Sequence, residues 1–288
     1  MELFTDTQVT QMPDPEWLIE KLFPTGSFVV LYGPSEHGKS FVALDWAFHI
    51  ATGKPWQGLP VKQGPVVYIA AEGRGGLGQR ITAWKATYQP ASTPVYFSLQ
   101  PLDILEDGPD ELIGACALFA PYADEPETDL CPGLVIVDTL ARCMTGDENE
   151  TKDMSQFVRG IDTLRQDLGA TVLMVHHTGK DLEREERGSS VLRGAADTMI
   201  RVKRSKQDDS ILLKCSKQKD AARFEDITLR LRSVGDSCII APGYTMEQAL
   251  KTVEGDDHLS LRGKARRIAE LTGLPVENCR NWLRGLAN

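Results

Sequence analysis

The amino-acid sequence predicts an α/β protein with a mostly parallel, twisted sheet flanked by helices, antiparallel strands on the C-terminal side, and a small helical tail. Short apolar runs rich in β-branched residues alternate with segments of helical periodicity, the pattern of a parallel sheet covered on both faces. The predicted strands are 27–32, 65–72, 94–98, 133–140 and 170–179, and the predicted helices are 41–50, 77–88, 110–120 and 153–168. Three further runs, from residue 196 to 234, follow each other without a helix, which predicts hairpins.

Composition divides the chain into three predicted segments. Residues 1–242 hold the alternating strands and helices, and residues 243–258 form a linker rich in glycine and acidic side chains. In residues 259–288 the apolar spacing resembles a helix-turn-helix, with Ala269 and Gly273 four apart across the expected turn. A tail that only packs and a module that binds DNA or a partner both remain open.

Overall composition restricts the class of protein. The net charge of −9 argues against a surface that coats nucleic acid throughout, so any nucleic-acid site must be local. Six cysteines at irregular spacings indicate neither a zinc site nor a disulfide framework. No apolar run approaches the roughly 20 residues that a membrane span needs, and the N-terminus is polar and acidic rather than signal-like. We therefore expect a cytoplasmic protein without membrane contact.

The segment GPSEHGKS lies between the first long strand and the helix after it, and it matches the phosphate-binding loop G-x-x-x-x-G-K-S. Its glycines allow backbone N–H groups to curl around phosphate oxygens, and the helix N-terminus adds a positive dipole. Lys39 reaches the β- and γ-phosphates, and the Ser40 hydroxyl ligates Mg²⁺. The sequence thus predicts ATP and Mg²⁺ as cofactors, with ATP bound by Gly33, Pro34, Ser35, Glu36, His37, Gly38, Lys39, Ser40 and Phe41.

Carboxylates and histidines end three other predicted strands. Because the carboxyl ends of parallel strands line the ligand crevice of a doubly wound sheet, we expect these side chains near the phosphates. Asp138 would hold the Mg²⁺ shell, and Glu72 would orient and deprotonate the attacking water. Adjacent strand residues face opposite ways, so only one of His176 and His177 can face the γ-phosphate. We expect His177, since the later residue lies further towards the crevice.

The motifs GPSEHGKS, AAEG, LVIVDT and VHHTGK followed by RGSSVLRGAAD, in this order and spacing, resemble the RepA-type replicative helicases of plasmids and phages. These belong to the RecA/DnaB-like P-loop ATPase superfamily, and the resemblance covers roughly residues 15–235. It implies a RecA-like core, a hexameric ring with ATP at subunit interfaces, and translocation on single-stranded DNA. It also implies a replication initiator, primase or loader as a partner of a minimal motor.

The resemblance further implies roles for individual residues. Glu72 would be the catalytic base and His177 the sensor of the γ-phosphate, while Arg80 would stack on adenine. A cation from the neighbouring subunit would neutralise charge on the transferred phosphoryl group, which couples hydrolysis to ring geometry. The candidates for this role in trans are Arg187 in RGSS and the pair Lys217 and Lys219 in KCSKQK.

The loops after Asp138 and His177 correspond to the central-pore loops of such rings. The first is acidic, the second balances basic against acidic residues, and neither has an aromatic side chain for base stacking. Two other classes therefore remain open. One is a RecA-core recombination or annealing ATPase that forms filaments. The other is a non-motor regulator or loader that ATP switches, which the acidic loop slightly favours.

Overall fold

The computed structural model describes residues 3–119, 131–178, 190–206, 209–254, 258–272 and 274–286. The strands are β1 Trp17–Ile19, β2 Phe23–Pro24, β3 Phe28–Gly33, β4 Val66–Ala70, β5 Val95–Ser98, β6 Leu134–Asp138, β7 Thr171–His177, β8 Thr198–Arg204, β9 Ile211–Gln218, β10 Ile227–Val234 and β11 Ser237–Pro242. The helices are α1 Asp6–Thr10, α2 Lys39–Thr52, α3 Arg74–Tyr88, α4 Gly108–Phe119, α5 Thr151–Leu168, α6 Ser190–Ala195, α7 Met246–Glu254, α8 Leu261–Thr272 and α9 Val276–Leu286.

Within the described residues, nine strands form one mixed sheet in the order β11-β10-β9-β8-β3-β7-β6-β4-β5. Strand β3 lies in the middle and pairs in parallel with β7 and β8, and the pairs β7-β6, β6-β4 and β4-β5 are also parallel. From β8 to β11 the pairing is antiparallel. The predicted α/β fold, mostly parallel with antiparallel strands on the C-terminal side, is therefore confirmed.

Helices cover both faces of the sheet. Helices α2 and α3 pack on one face, where Trp46, Phe48 and Trp84 join the first apolar core. Helices α4 and α5 pack on the other face, where Phe157 and Ile161 join the second core. Strands buried on both faces need continuous apolar runs, which explains why the runs in β3, β4, β6 and β7 predicted the sheet.

A buried carboxylate joins α2 to its surroundings. Asp45 of α2 accepts hydrogen bonds from the indole N–H groups of Trp56 and Trp84, at 2.8 and 2.9 Å. The His49 Nε2 atom lies 3.7 Å from the same carboxylate. Burial raises the pKa of Asp45 to about 7, although both indole hydrogen bonds act in the opposite direction. The contact with Trp84 connects α2, the helix that follows the phosphate-binding loop, to α3.

The C-terminal helices α7, α8 and α9 form a hydrophobic cluster of their own. Helix α7 lies inside the segment 243–258 that the sequence predicts to be a linker, because its apolar positions Ala249 and Val253 are buried in this cluster. The acidic and glycine-rich composition around α7 hides this helical spacing. The division of the chain into domains stays a prediction. Among the described residues, no helix is both long and apolar enough to span a membrane.

Candidate nucleotide site

The carboxyl ends of four parallel strands bring the predicted site residues to one edge of the sheet. Gly33 at the end of β3 lies beside His177 at the end of β7. Asp138 at the end of β6 lies between Val175 of β7 and Ala70 of β4, and Glu72 follows β4 by two residues. The register thus places the phosphate-binding loop, both carboxylates and His177 around one crevice.

Two glycines of the loop 33–40 have backbone geometry that suits no other residue. Gly33 has φ +153°, and a Cβ atom there would lie 2.2 Å from the carbonyl oxygen of Val202. Gly38 has φ +89° and directly precedes α2, where an added Cβ would lie 2.7 Å from Cδ1 of Ile211. The side chain of Ile211 can move, whereas the backbone of Val202 in β8 cannot, so Gly33 is the stricter requirement.

Lys39, the first residue of α2, has a buried ammonium group. Its Nζ donates to the carbonyl oxygens of Gly33 and Pro34, at 2.8 and 2.7 Å, and lies 2.9 Å from Nδ1 of His177. Burial lowers the pKa of Lys39 to about 8, an effect that the negative charges of Asp138 and Glu72 partly offset. Lys39 therefore remains largely protonated at neutral pH and provides a cation at the loop.

Asp138 has the properties of a magnesium-binding carboxylate. Its Oδ2 accepts a 2.7 Å hydrogen bond from the Tyr68 hydroxyl, whereas Oδ1 is buried without a hydrogen-bond partner among the described residues. Burial raises the pKa of Asp138, while Tyr68 and Ser40 lower it. Ser40 thus lies close to this carboxyl group, but it makes no hydrogen bond to Oδ1 within the usual distance and angle. A buried oxygen without a donor, beside a hydroxyl, fits a cation.

No group of three or more histidine, cysteine or acidic side chains that could hold a metal occurs in the part of the chain that the structure describes. Mg²⁺ in phosphoryl-transfer sites usually takes one or two protein ligands and completes its shell with phosphates and water. The set of Ser40 and Asp138 therefore suits Mg²⁺ bound together with a nucleotide rather than a metal held by protein alone.

Glu72 is held by the segment that follows Asp138. Its Oε1 accepts hydrogen bonds from the Thr139 hydroxyl and from Nε of Arg142, each 3.2 Å long. Its Oε2 lies 3.6 Å from Nε2 of His177. The side chain is 36% exposed, so water can reach the carboxylate. This arrangement leaves Glu72 oriented but open on one side, as a base acting on water needs to be.

The two adjacent histidines differ in their surroundings. His177 contacts Lys39 and Glu72, and its Nδ1 lies 3.2 Å from the Ser35 hydroxyl. His176 is buried, lies 3.9 Å from Oε2 of Glu148, and has its pKa lowered to about 4, mainly by burial. The structure thus brings His177, and not His176, to the phosphate-binding loop.

Arg80 lies beside the loop on the side of α2. Its guanidinium carbon is 4.3 Å from the centre of the Phe41 ring, a cation–π arrangement on the first turn of α2. Phe41 directly follows Ser40 in α2, so this pair lies close to the phosphate-binding residues in the chain. The contact that the structure shows for Arg80 is with Phe41, and stacking of Arg80 on adenine stays a prediction.

The predicted basic pair lies near the end of β9, with Lys217 inside the strand and Lys219 just after it, towards the amino end of β3. The Nζ of Lys217 donates to the carbonyl oxygens of Arg193 and Gly194 at the end of α6, at 2.7 and 3.1 Å. Lys219 lies 3.6 Å from Asp197 and remains 59% exposed. Asp197 also accepts from the backbone N–H of Phe28, at the start of β3. Phe28 and Gly33 are five residues apart in β3, so Asp197 lies about 16 Å from Gly33 along the strand direction.

Arg187 and the rest of the segment 179–189 lie outside the described residues. The neighbours of Glu72 and Asp138 were not predicted from the sequence: they are Tyr68, Thr139 and Arg142. Thr139 and Arg142 directly follow the Asp138 motif in the chain, which is the one signal that could have indicated them. Tyr68 reaches Asp138 only because β4 and β6 are neighbours in the sheet, which no local pattern reveals.

A glycine-dependent phosphate loop on a parallel sheet, with a lysine, a buried carboxylate and a second carboxylate open to water, defines a P-loop ATPase. Comparison with known proteins agrees with this class. Residues 1–183 match the model of the AAA domain family, so this chain belongs to that family. A solved structure, described as an ATPase domain, is similar in fold, with a TM-score of 0.54 at 13% sequence identity. The match covers 75% of this chain and 86% of that chain.

Proposed function

We propose that this chain is a ring-forming, ATP-driven motor, a replicative DNA helicase of the plasmid or phage type that translocates on single-stranded DNA. One observation supports the ATPase part of this proposal. Five side chains lie together at the carboxyl ends of the parallel strands: Lys39, Ser40, Asp138, Glu72 and His177. The helicase part rests on the order and spacing of the sequence motifs that contain these residues.

In this mechanism the chain binds ATP through the backbone of residues 33–40 and through Lys39. Ser40 and Asp138 would hold Mg²⁺, which would supply positive charge that offsets the charge of the phosphates. Arg80 and Phe41 provide the surface for the adenine ring. Tyr68 keeps Asp138 oriented, since its hydroxyl occupies Oδ2 and leaves Oδ1 for the metal.

Glu72 acts as the general base of the proposed reaction. Thr139 and Arg142 hold its Oε1, which leaves Oε2 to accept the proton of the attacking water. His177 links the two halves of the site, because one ring nitrogen faces Lys39 and the other faces Glu72. If Lys39 moves when the phosphates change, the His177 ring moves with it, and the position of the base Glu72 changes in turn.

The position of the basic pair supports assembly. Lys219 lies beside Asp197 at the level of Phe28, about 16 Å along β3 from Gly33. Lys217 pairs with Met199 at the level of Val30, about 10 Å along β3 from Gly33. Among the described residues, Lys217 contacts the end of α6 and Lys219 contacts Asp197, so neither side chain is directed at the phosphate loop of its own chain. A neighbouring subunit whose nucleotide faces this pair could use them, and Lys219 is the more available of the two because it is largely exposed.

A non-motor ATPase that controls a partner is the second candidate. The segment after Asp138 lines an open cavity of about 480 Å³ that includes Asp147 and Glu148 and, among its described lining residues, no basic side chain. An acidic lining repels the phosphates of single-stranded DNA, whereas a basic partner protein would fit it. This candidate keeps the same catalytic residues and differs in what hydrolysis controls.

The steady-state rate of ATP hydrolysis, with and without single-stranded DNA, duplex DNA or RNA, tests the proposal. We expect single-stranded DNA to accelerate hydrolysis and Glu72→Gln to abolish it. The matched control is Glu111→Gln, an exposed carboxylate on α4, which should hydrolyse ATP as the unchanged chain does. A slow rate that no nucleic acid alters would refute the helicase and leave the non-motor candidate.

Mixing inactive subunits tests whether the basic pair acts in trans. Lys39→Ala subunits lack the phosphate-binding cation, and Lys219→Ala subunits lack the proposed cation for the neighbour. In a mixture, some interfaces combine an intact nucleotide site with an intact Lys219, so we expect activity above that of either variant alone. Arg187→Ala in place of Lys219→Ala tests the other candidate. No recovery with either partner would contradict catalysis at subunit interfaces.

A further inference from the structure

The three C-terminal helices α7, α8 and α9 form a small folded unit. Their facing sides bury apolar and small side chains in one cluster, which is separate from the two cores that flank the sheet. The buried members are Ala249, Val253, Ala265, Ile268, Ala269, Cys279 and Leu283. The outward faces of α8 and α9 are therefore not needed to hold the unit together.

The connection between α8 and α9 has the length of a helix-turn-helix turn. Helix α8 ends at Thr272 and α9 begins at Val276, so three residues join them. The Thr272 hydroxyl donates to the Ile268 carbonyl oxygen at 2.7 Å and accepts from the Leu274 backbone N–H at 3.3 Å. These bonds fix the point where the chain leaves α8. Ala269 of α8 and Cys279 of α9 are both small, which allows the two helices to approach closely.

The exposed face of α9 carries side chains that can read bases. Asn278, Asn281 and Arg284 are exposed and three residues apart, so they follow one side of the helix, opposite the buried Cys279 and Leu283. Asparagine pairs with the major-groove edge of adenine, and arginine with that of guanine. An α-helix fits the major groove of B-DNA. The second helix of a helix-turn-helix is the one that occupies the groove.

The unit is basic although the chain is acidic. Residues 259–288 contain six basic and two acidic side chains, whereas the whole chain has a net charge of −9. The two acidic residues pair within their own helices, Glu270 with Arg267 and Glu277 with Arg280. Among the described residues, no ion pair is formed by Arg262, Lys264, Arg266 or Arg284. These charges suit a phosphate backbone.

We propose that the C-terminal unit binds duplex DNA, with the exposed face of α9 in the major groove and the arginines of α8 on the adjacent phosphates. The unit gives this chain a second nucleic-acid site, distinct from the site of ATP hydrolysis. It would hold the ATPase at a particular duplex sequence. The proposal does not depend on the core being a helicase.

Fluorescence anisotropy of a labelled duplex of about 30 base pairs, three helical turns, tests the proposal with the full chain. We expect the double variant Arg266→Glu and Arg284→Glu to lose at least about tenfold in duplex affinity and to show a weaker dependence on salt. The matched control, Arg159→Glu with Arg223→Glu, reverses two exposed arginines outside the unit and should bind the duplex as the unchanged chain does. Equal affinities of the two double variants would overturn the proposal.

Two additional measurements keep this test separate from the ATPase. Lys39→Ala removes ATP hydrolysis, yet it should bind the duplex normally, because the phosphate loop is not part of the C-terminal unit. The double variant Arg266→Glu and Arg284→Glu should retain the rate of ATP hydrolysis measured without nucleic acid, which shows that the core is still folded. If Lys39→Ala abolished duplex binding, the binding would belong to the ATPase core and the proposal would be wrong.

Selection of bound duplexes from a randomised pool tests base reading by α9. We expect the unchanged chain to enrich one shared sequence, and Asn281→Ala to lose the preference at one position of it, by about tenfold. Asn149→Ala, an asparagine outside the unit, is the control and should select the same sequence as the unchanged chain. Enrichment of no shared sequence would contradict a helix reading bases in the major groove.

Discussion

At the scale of single residues, Asp45 shows how burial changes a carboxyl group that takes no part in the chemistry. Its two indole donors stabilise the charged form, but removal from water outweighs them, so its pKa rises to about 7. A raised pKa means that the folded chain holds this proton more tightly than the unfolded chain does. The resulting stabilisation is complete at low pH and is lost as the pH rises towards 7.

The stability of Asp45→Asn should therefore depend less on pH than that of the unchanged chain. Ionisation of Asp45 lowers the free energy of unfolding by about 3 kcal/mol between pH 4 and pH 7, and asparagine does not titrate. The substitution also leaves one indole N–H without an acceptor, which costs about 1–3 kcal/mol at low pH. Urea unfolding from pH 4 to pH 8 measures both effects. Asp14→Asn, at an exposed position, should show the pH dependence of the unchanged chain.

Tyr68→Phe should weaken the binding of Mg²⁺ rather than of ATP. Without the phenol, Oδ2 of Asp138 loses its donor, the pKa of this buried carboxyl rises further, and the carboxylate is less well oriented for the metal. Loss of one hydrogen bond to a charged group, about 1.5–3 kcal/mol, corresponds to a roughly 10- to 150-fold higher Mg²⁺ concentration at half-maximal hydrolysis. Tyr244→Phe, an exposed tyrosine, is the control. An unchanged Mg²⁺ requirement would show that Tyr68 does not orient the ligand.

At the scale of elements, the end of β3 depends on one glycine. Gly33→Ala places a methyl group 2.2 Å from the carbonyl oxygen of Val202 and requires φ +153° of an alanine. Since β8 pairs with β3 along this stretch, the clash must shift either the strand or the loop. We expect a loss of more than about 2 kcal/mol in the free energy of unfolding and loss of ATP binding.

Gly78→Ala is the opposite case and the matched control for Gly33→Ala. Gly78 lies within α3, is exposed, and an added Cβ would contact nothing within 4 Å. Alanine should stabilise this helix by about 0.5–1 kcal/mol. Thermal unfolding of both variants, with nucleotide binding measured by fluorescence titration, compares them. Equal effects on stability would contradict the role of the Val202 carbonyl.

The sequence predicted those elements whose local pattern matches their final surroundings. Strands β3, β4, β6 and β7 have continuous apolar runs because helices bury both of their faces. Strand β11 was missed, since it is a short run between two glycines, and α7 was missed because acidic residues follow it. Local composition does not indicate what a segment packs against, and burial of Ala249 and Val253 is what makes α7 a helix of the cluster.

The site residues follow the same rule. Lys39, Ser40 and Asp138 belong to motifs whose spacing is set by the strand and helix that carry them, so the sequence indicated them directly. The contacts of Glu72 with Thr139 and Arg142 depend on the sheet order, in which β6 lies next to β4 although β5 and α4 lie between them in the chain. This order cannot be obtained from periodicity or from motif spacing.

At the scale of the whole molecule, the opposite positions of the phosphate loop and Lys219 predict that hydrolysis depends on assembly. The rate per subunit should increase with protein concentration, because a subunit without a neighbour lacks the cation at its nucleotide. Hydrolysis and light scattering measured over the same concentration range test this. Lys219→Ala should assemble and bind ATP but hydrolyse it slowly. A constant rate per subunit in a monomeric sample would exclude a contribution in trans.

The tryptophans of the chain provide two separate optical signals. Three of the five tryptophans, Trp46, Trp56 and Trp84, are buried around Asp45, in or beside the helix α2 that follows the phosphate loop. Trp17 lies in β1, and Trp282 lies in the C-terminal unit. Indole emission depends on nearby charge, so ionisation of Asp45 changes the emission of the core without involving the tail. In Trp282→Phe the tail contributes no tryptophan emission. Subtracting the fluorescence unfolding curve of Trp282→Phe from that of the unchanged chain therefore isolates the unfolding of α7, α8 and α9. This difference gives the stability of the three helices within the intact protein.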